Sequence, residues 1–230
     1  MDVDWYDPRD FFPPIALVSR LSQRAARTTE SLARLSRHTF LLALLFVAPK
    51  SYADRIITYA IDSKRTEVSI SWHYLGVPTE GGAFSGVTGF IYGNLDHPEK
   101  SWAEARIPVK TFDSGWSIIN HRLVKSGDFF QTKQYPEIIF RSHSIDTVNK
   151  KSRELSLSGE LSVNGIVRPM TLFAETAAVG PHPFYGDANA ASLRAVTRFR
   201  RSEFGMDKFM GMVSDEIVVN LTVEALVVKN

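Results

Sequence analysis

The chain has 230 residues, of which 44% are hydrophobic and 23% are charged, a balance that excludes intrinsic disorder. It has no cysteine, which excludes a disulfide scaffold, thiolate metal ligands and a cysteine nucleophile. The formal net charge of +2 lies entirely in residues 1–53, which hold seven Lys or Arg and five Asp or Glu. The rest of the chain is net neutral, so we expect no nucleic acid or other partner bound mainly through phosphate charge.

Residues 1–53 predict an N-terminal extension followed by a secretory signal peptide. Residues 40–48 form an uninterrupted apolar run, shorter than the roughly 20 residues that span a bilayer, so no integral membrane span is predicted. Basic residues precede the run, and Ser51 and Ala53 are small side chains at the positions that cleavage requires. The alternative is a short buried helix. We expect cleavage after Ala53 and a protein of residues 54–230 that is periplasmic or secreted.

Residues 54–230 show period-two alternation, which is typical of half-buried β-strands. In the clearest stretch, apolar residues from Leu155 to Val163 alternate with polar ones, and Asn164-Gly165 then predicts a type I′ hairpin turn. Nine strands are predicted, or eight if the first is a short edge piece, at residues 56–61, 68–74, 84–95, 103–110, 137–146, 155–163, 167–176, 191–200 and 216–228.

One short helix is predicted at residues 117–126, with Asp113 or Ser114 as its cap. One side of this helix carries Ile118, Ile119, Arg122 and Leu123. Consecutive antiparallel strands form a sandwich or close on themselves, and closure removes exposed edges. The expected fold class is all-β, a closed antiparallel barrel of about eight strands that is filled by side chains or holds one slender ligand.

The sequence shows no catalytic constellation, and we predict no catalytic residue, metal ligand or cofactor. The histidines after residue 53 are not at metal-ligand spacing, and no G-x-S-x-G motif occurs. The four glycines between residues 81 and 89 lack the spacing of a nucleotide loop and are interpreted as turn glycines. A single acid or base in a cavity escapes pattern reading, so an enzyme acting on a hydrophobic substrate stays the alternative to a binding protein.

The one basic cluster lies at the end of the strand predicted at 191–200. Its members are Arg194, Arg198, Arg200 and Arg201. The first three share one strand face, and the last points to the other if the pleat continues. They form either a solvated face or a rim that holds one anionic head group through phosphate or carboxylate oxygens.

Several blocks of the sequence carry a family resemblance. The central block is LVKSGDFF at residues 123–130, followed by YPEIIF at 135–140 and by Ser142. The others are GAF at 82–84, GELSVNG at 159–165 with Arg168-Pro169, and RSEFGM at 201–206 before Ser214-Asp215-Glu216. This ordered set resembles the YceI-like polyisoprenoid-binding family over essentially the whole of residues 54–230.

The resemblance implies a lipocalin-like antiparallel barrel, exported to the periplasm or secreted. Its apolar interior would hold a polyisoprenoid or another long-chain amphiphilic or fatty lipid for transport, storage or sequestration. A homodimer is left open. The family often carries Asp-x-His-Leu just before Lys125, whereas residues 120–123 read NHRL here, so no role is carried over to His121.

We expect the lipid to contact a set of apolar, mostly aromatic side chains. The predicted set is Val68, Ile70, Trp72, Phe84, Phe90, Phe129 and Phe140. Lys125 and Arg201 are predicted to lie nearest an anionic head group. The alternative for Arg201 is a buried ion pair with Asp128 that fixes a loop to the barrel, because a buried charge must find a partner.

Overall fold

The computed structural model describes residues 54–149, 151–182, 185–186 and 188–228. The extension and signal peptide predicted at residues 1–53 lie outside them, so that domain boundary stays a prediction. The strands are β1 Ile56–Ile61, β2 Glu67–Tyr74, β3 Val77–Phe84, β4 Thr88–Asn94, β5 Trp102–Pro108, β6 Glu137–Asn149, β7 Glu154–Val163, β8 Ile166–Pro181, β9 Asn189–Arg200 and β10 Glu216–Val227. The helix α1, Ser117–Asn120, continues into a π turn at His121–Lys125.

Eight of these strands close into an antiparallel barrel. The order is β1-β4-β5-β6-β7-β8-β9-β10, and β10 returns to β1. At the closure Tyr59 pairs with Val227, and Ile61 pairs with Ala225. The prediction of a closed barrel of about eight strands with one short helix is confirmed. The first strand is not an edge piece, since β1 pairs with β4 on one side and with β10 on the other.

The β2–β3 hairpin extends the sheet at one end of the barrel. The first half of β10 pairs with β2, whereas its last residues pair with β1, so β1 and β2 follow each other along one side of β10. The turn between them is fixed by Asp62, whose carboxylate accepts a hydrogen bond of 2.8 Å from the Tyr185 hydroxyl. Burial, together with this carboxylate, raises the pKa of Tyr185 to about 12. We call the end of the barrel that carries the β2–β3 hairpin the mouth.

The sequence did not predict β3, because its composition, VPTEGGAF, is rich in turn residues. The interpretation of Gly81 and Gly82 as turn glycines is wrong. A Cβ on Gly81 would lie 2.1 Å from the Trp72 ring, so the missing side chain lets that ring pack across the hairpin. Gly82 has a φ of +141°, which residues with a side chain rarely adopt.

The period-two pattern of the sequence correctly predicts which side chains of β7 and β9 point into the barrel. The apolar positions of the strand pattern at 155–163 include Leu157 and Leu161, and both face the interior. On β9 the predicted faces are also correct, because Arg194, Arg198 and Arg200 are exposed whereas Arg201 is buried. On these two strands the apolar positions of the pattern line the inside, and the arginines of β9 lie on the outside.

The turn between β7 and β8 is Asn164-Gly165, with positive φ at both residues, as a type I′ turn requires. The Asn164 side chain is buried and donates hydrogen bonds to the carbonyl oxygens of Phe129, at 2.7 Å, and Phe204, at 3.2 Å. Its amide oxygen accepts a hydrogen bond of 3.0 Å from the Gln131 backbone N–H. The Asn164 side chain therefore ties two loops at the mouth to the β7–β8 hairpin.

Replacing Asn164 with glycine is expected to lower the free energy of unfolding by about 2–4 kcal/mol, because it leaves two buried carbonyls and one N–H without their partner. Glycine keeps the positive φ, so the turn itself is not strained. Thermal denaturation followed by circular dichroism measures the loss. A change under about 0.5 kcal/mol, the usual scatter of surface substitutions, would contradict a role for this side chain in holding the mouth together.

Candidate functional site

The barrel encloses an inner cavity of about 140 Å³. Its wall is made by inward side chains of all eight barrel strands, by the β2–β3 hairpin and by the loop residues Thr66, Val87 and Phe130. The wall is apolar except for Thr66 and Thr197. The Thr66 hydroxyl donates to the Glu224 carbonyl at 3.2 Å, and the Thr197 hydroxyl donates to the Thr171 carbonyl at 2.9 Å. Because backbone carbonyls take both hydroxyl protons, the wall offers a ligand almost nothing but hydrocarbon.

An outer cavity of about 560 Å³ lies at the mouth. The helical segment 117–125, the β2–β3 hairpin and the loop between β9 and β10 form its walls. All four residues predicted to gather on one side of the helix line it, namely Ile118, Ile119, Arg122 and Leu123. Ile70, Phe130 and Phe199 belong to the walls of both cavities, so these three side chains stand where the outer cavity meets the inner one.

The entrance to the outer cavity is apolar. Trp116 and Ile118 line this cavity and are nevertheless 68% and 72% exposed. The loop opposite contributes Phe209 and Met212, which are also exposed. Large exposed apolar residues that gather in one place mark an interaction site more often than chance.

Hydrogen bonds before the helix hold this side of the mouth in place. The Asn120 side chain donates to the Asp113 carboxylate at 2.9 Å and accepts from the Ser114 hydroxyl at 2.7 Å. The bond from Asn120 and one from the Gly115 N–H lower the pKa of Asp113. The predicted capping is wrong in detail, because Trp116 occupies the N-cap without a side-chain cap and the two polar residues bind Asn120 instead.

Six of the seven apolar residues predicted to contact the lipid lie in the cavity walls. Val68, Ile70, Phe84 and Phe140 line the inner cavity. Trp72 and Phe129 line the outer cavity, and Ile70 also borders it. The structure therefore brings these six together along one continuous apolar path, and their contact with a lipid stays a prediction.

Phe90 is the member of the set that lies elsewhere. Its side chain is on the outer surface of the barrel, 43% exposed, and belongs to neither cavity wall. Ile91, the next residue on β4, points inward instead. Outside the barrel Phe90 lies 6.0 Å from the Tyr92 ring, which in turn stacks on Trp102 at 4.1 Å. Its placement in the lining is a one-residue error of strand phase.

Arg201 lines the outer cavity, but its guanidinium is committed to the protein. It donates hydrogen bonds to four backbone carbonyls of the loop that follows, those of Met206, Lys208, Val213 and Ser214. Burial lowers the pKa of Arg201, and the nearby Asp215 and Asp207 carboxylates oppose that shift. The alternative of a buried ion pair with Asp128 is wrong, because Asp128 is exposed and is not a partner of Arg201, yet Arg201 does fix a loop to the barrel.

Asp215 completes this arrangement at the start of β10. Burial alone would raise the pKa of the Asp215 carboxyl. The carboxylate accepts hydrogen bonds from the Ser202 N–H, at 2.9 Å, and from the Ser202 hydroxyl, at 2.8 Å. These two bonds and the positive charges of Arg201 and Arg200 outweigh the effect of burial, so the pKa of Asp215 is lowered. The carboxylate therefore stays charged next to the buried guanidinium.

Lys125 is exposed at the end of the π turn and lies in neither cavity wall. The second cation of the outer cavity is Arg122, which sequence reasoning did not choose. One signal could have found it. Arg122 stands third in the NHRL stretch, at the position where the resemblance places a histidine of the family.

Comparisons with known proteins identify the family. The YceI-like domain profile matches residues 59–225, which is most of the chain. The chain belongs to the YceI-like family. This confirms the resemblance that the sequence blocks carry.

Relatives are similar over most of their length. A UPF0312 protein of Shewanella denitrificans is 28% identical over 170 residues, 73% of this chain and 86% of the relative. Protein YceI of Escherichia coli O157:H7 is 26% identical over 190 residues, 81% of this chain and 96% of the relative.

Solved structures share the fold. BcnA of Burkholderia cenocepacia has a TM-score of 0.61 at 24% identity, covering 71% of this chain and 98% of BcnA. A polyisoprenoid-binding domain of Saccharophagus degradans, implicated in plant cell wall breakdown, has a TM-score of 0.54 at 11% identity, covering 74% of this chain and 98% of that domain. The YceI-like barrel is thus recognisable even at very low identity.

Among residues 54–149, 151–182, 185–186 and 188–228, no group of three or more His, Asp or Glu side chains is placed to hold a metal ion. The same part of the chain has no helix that is both long and apolar enough to cross a membrane.

Proposed function

We propose that this protein binds a polyisoprenoid or another long-chain amphiphilic lipid inside the barrel, without turnover, and that it transports, stores or sequesters the lipid. The observation that carries the proposal is the apolar wall of the inner cavity, which meets the larger outer cavity at three shared side chains. A narrow hydrocarbon-lined space with a wider mouth suits a flexible tail that enters end first. The similarity to a polyisoprenoid-binding domain supports the same class of ligand.

The tail supplies most of the affinity in this proposal. Burying one isoprene unit of roughly 100 Å² at about 25 cal/mol per Å² contributes about 2.5 kcal/mol before ordering costs. A few units therefore suffice for a stable complex. The apolar residues at the entrance, such as Trp116 and Ile118, let the tail leave a hydrophobic environment without first crossing a polar rim.

We also propose that the protein is periplasmic or secreted. The support is the sequence pattern of residues 1–53, with basic residues, an apolar run and small residues before the cleavage position. Cell fractionation and N-terminal sequencing test this, and a mature protein that begins at Asp54 is the expected result. A homodimer and the absence of a nucleic-acid partner stay predictions.

Organic extraction of the purified protein tests the binding function. We expect mass spectrometry of the extract to find an isoprenoid or fatty lipid in near-stoichiometric amount. The matched control is a variant whose inner cavity is filled, Ala195→Phe, which should carry much less lipid. Equal, trace amounts from both proteins would overturn the proposal. Conversion of an added lipid to a product would instead favour an enzyme.

A further inference from the structure

Arg122 is the cation at the mouth that the protein leaves available. Arg122 and Arg201 are the two cationic side chains in the wall of the outer cavity. The guanidinium of Arg201 is occupied by four carbonyls. Arg122 is exposed, its guanidinium lies over the Phe209 ring, and its side chain donates no hydrogen bond to a carboxylate or carbonyl of the described residues. Its N–H donors therefore remain for a ligand.

An aromatic stack holds the Arg122 guanidinium in place. The guanidinium carbon lies 5.2 Å from the centroid of the Phe209 ring. That ring stacks on Phe129 at 6.2 Å with an interplanar angle of 12°, and the buried Arg201 lies 5.9 Å from the Phe129 centroid. The cation–π contact with Phe209 restricts the Arg122 side chain, so less conformational freedom is lost when an anion binds.

The backbone that carries Arg122 has an uncommon conformation. Arg122 lies in the π turn, where the Ser126 N–H donates to the His121 carbonyl at 3.2 Å. Such wide turns inside helices are rare and are found frequently at functional sites. Here the turn belongs to the cavity wall, which brings a charged residue next to Ile119 and Leu123 on the same side of the helix.

We infer that Arg122 binds the anionic head group, a phosphate or a carboxylate, of the amphiphile whose tail occupies the cavities. The inference rests on the proposed lipid-binding function. A guanidinium offers two parallel N–H donors to such oxygens. The nearby hydroxyls compete little, because Ser114 donates to Asn120 and Thr79 donates to the Val77 carbonyl.

Two probes with the same tail separate head from tail. Geranylgeranyl monophosphate and geranylgeraniol are titrated into delipidated protein, and inorganic phosphate is added as a competitor. We expect the phosphate to bind about tenfold more tightly than the alcohol, as one charge-assisted hydrogen-bonded pair implies. In Arg122→Gln this preference should disappear while the affinity for the alcohol stays within about twofold. Arg122→Lys should keep part of it.

Two matched variants serve as controls. Arg168→Gln removes an exposed arginine whose side chain donates to the Val167 carbonyl and which lies in neither cavity wall. Lys125→Gln removes the exposed cation that the sequence suggested. Both should keep the preference for the phosphate. Inorganic phosphate at millimolar concentration should not displace the probe, since the tail supplies most of the affinity.

Four outcomes would overturn the inference. Arg122→Gln could bind the phosphate as tightly as the wild type, or Lys125→Gln could abolish the preference in its place. Equal wild-type affinities for the two probes would show that the head group does not contribute to binding, although the lipid-binding function would stand. If neither probe binds, the proposed function fails, and the inference fails with it.

Discussion

Replacing Arg201 with methionine is expected to lower the free energy of unfolding by about 3–5 kcal/mol, since removing one partner of a buried charged network leaves the other groups unpaired. Four carbonyls of the loop between β9 and β10 would lose their donor. For a domain of this size the melting temperature should fall by about 10 °C. Methionine fills much of the space that the arginine stem occupied, so the loss reports hydrogen bonds more than packing.

The same variant separates two roles of Arg201. If it is structural, the fraction of lipid retained at low temperature should change little while the melting temperature drops. If it is a head-group ligand, lipid occupancy should fall and the melting temperature of the delipidated protein should stay constant. The control is Arg200→Met, which removes the exposed arginine next to it, and it should shift the melting temperature by no more than about 2 °C.

The barrel was largely predictable, because its information is local and periodic. A strand with one face inside and one face outside repeats every second residue, and β7 and β10 follow this rule along their length. The hairpin β2–β3 shows where the rule fails. Gly81 lies in a strand, and its missing side chain leaves room for the Trp72 ring. Nothing within the sequence of β3 shows that this ring will pack there.

The site was predictable only in part. On β4 the sequence TGFIYGN is apolar at successive positions, so period two does not decide between Phe90 and Ile91 as the inward residue. The available cation depends on the π turn and on Phe209, a loop residue 87 positions after Arg122, and no pattern joins them. The sequence singled out Arg201, but its hydrogen-bond partners are backbone carbonyls. Every residue has a carbonyl, so the side-chain sequence does not show which ones Arg201 will bind.

Ala195→Phe is expected to reduce lipid retention strongly while the barrel stays folded. Ala195 lies on β9, pairs with Leu221 of β10, and is 8% exposed in the wall of the inner cavity. A phenyl ring placed there occupies much of a space of about 140 Å³. Excluding a single isoprene unit removes about 2.5 kcal/mol of burial, which corresponds to binding weaker by about seventyfold. Overpacking costs about 1–3 kcal/mol, so folding survives.

The control is the neighbouring residue on the opposite face of the same strand. Val196 is 46% exposed on the outer wall, and Val196→Phe should bind geranylgeraniol as the wild type does. Wild-type affinity in Ala195→Phe would mean that the tail does not enter the inner cavity. Because Ala195→Phe acts on the tail, it should weaken the alcohol and the phosphate equally, whereas Arg122→Gln should weaken the phosphate alone. Additive effects in the double variant would then show that tail and head are bound at separate places along one path.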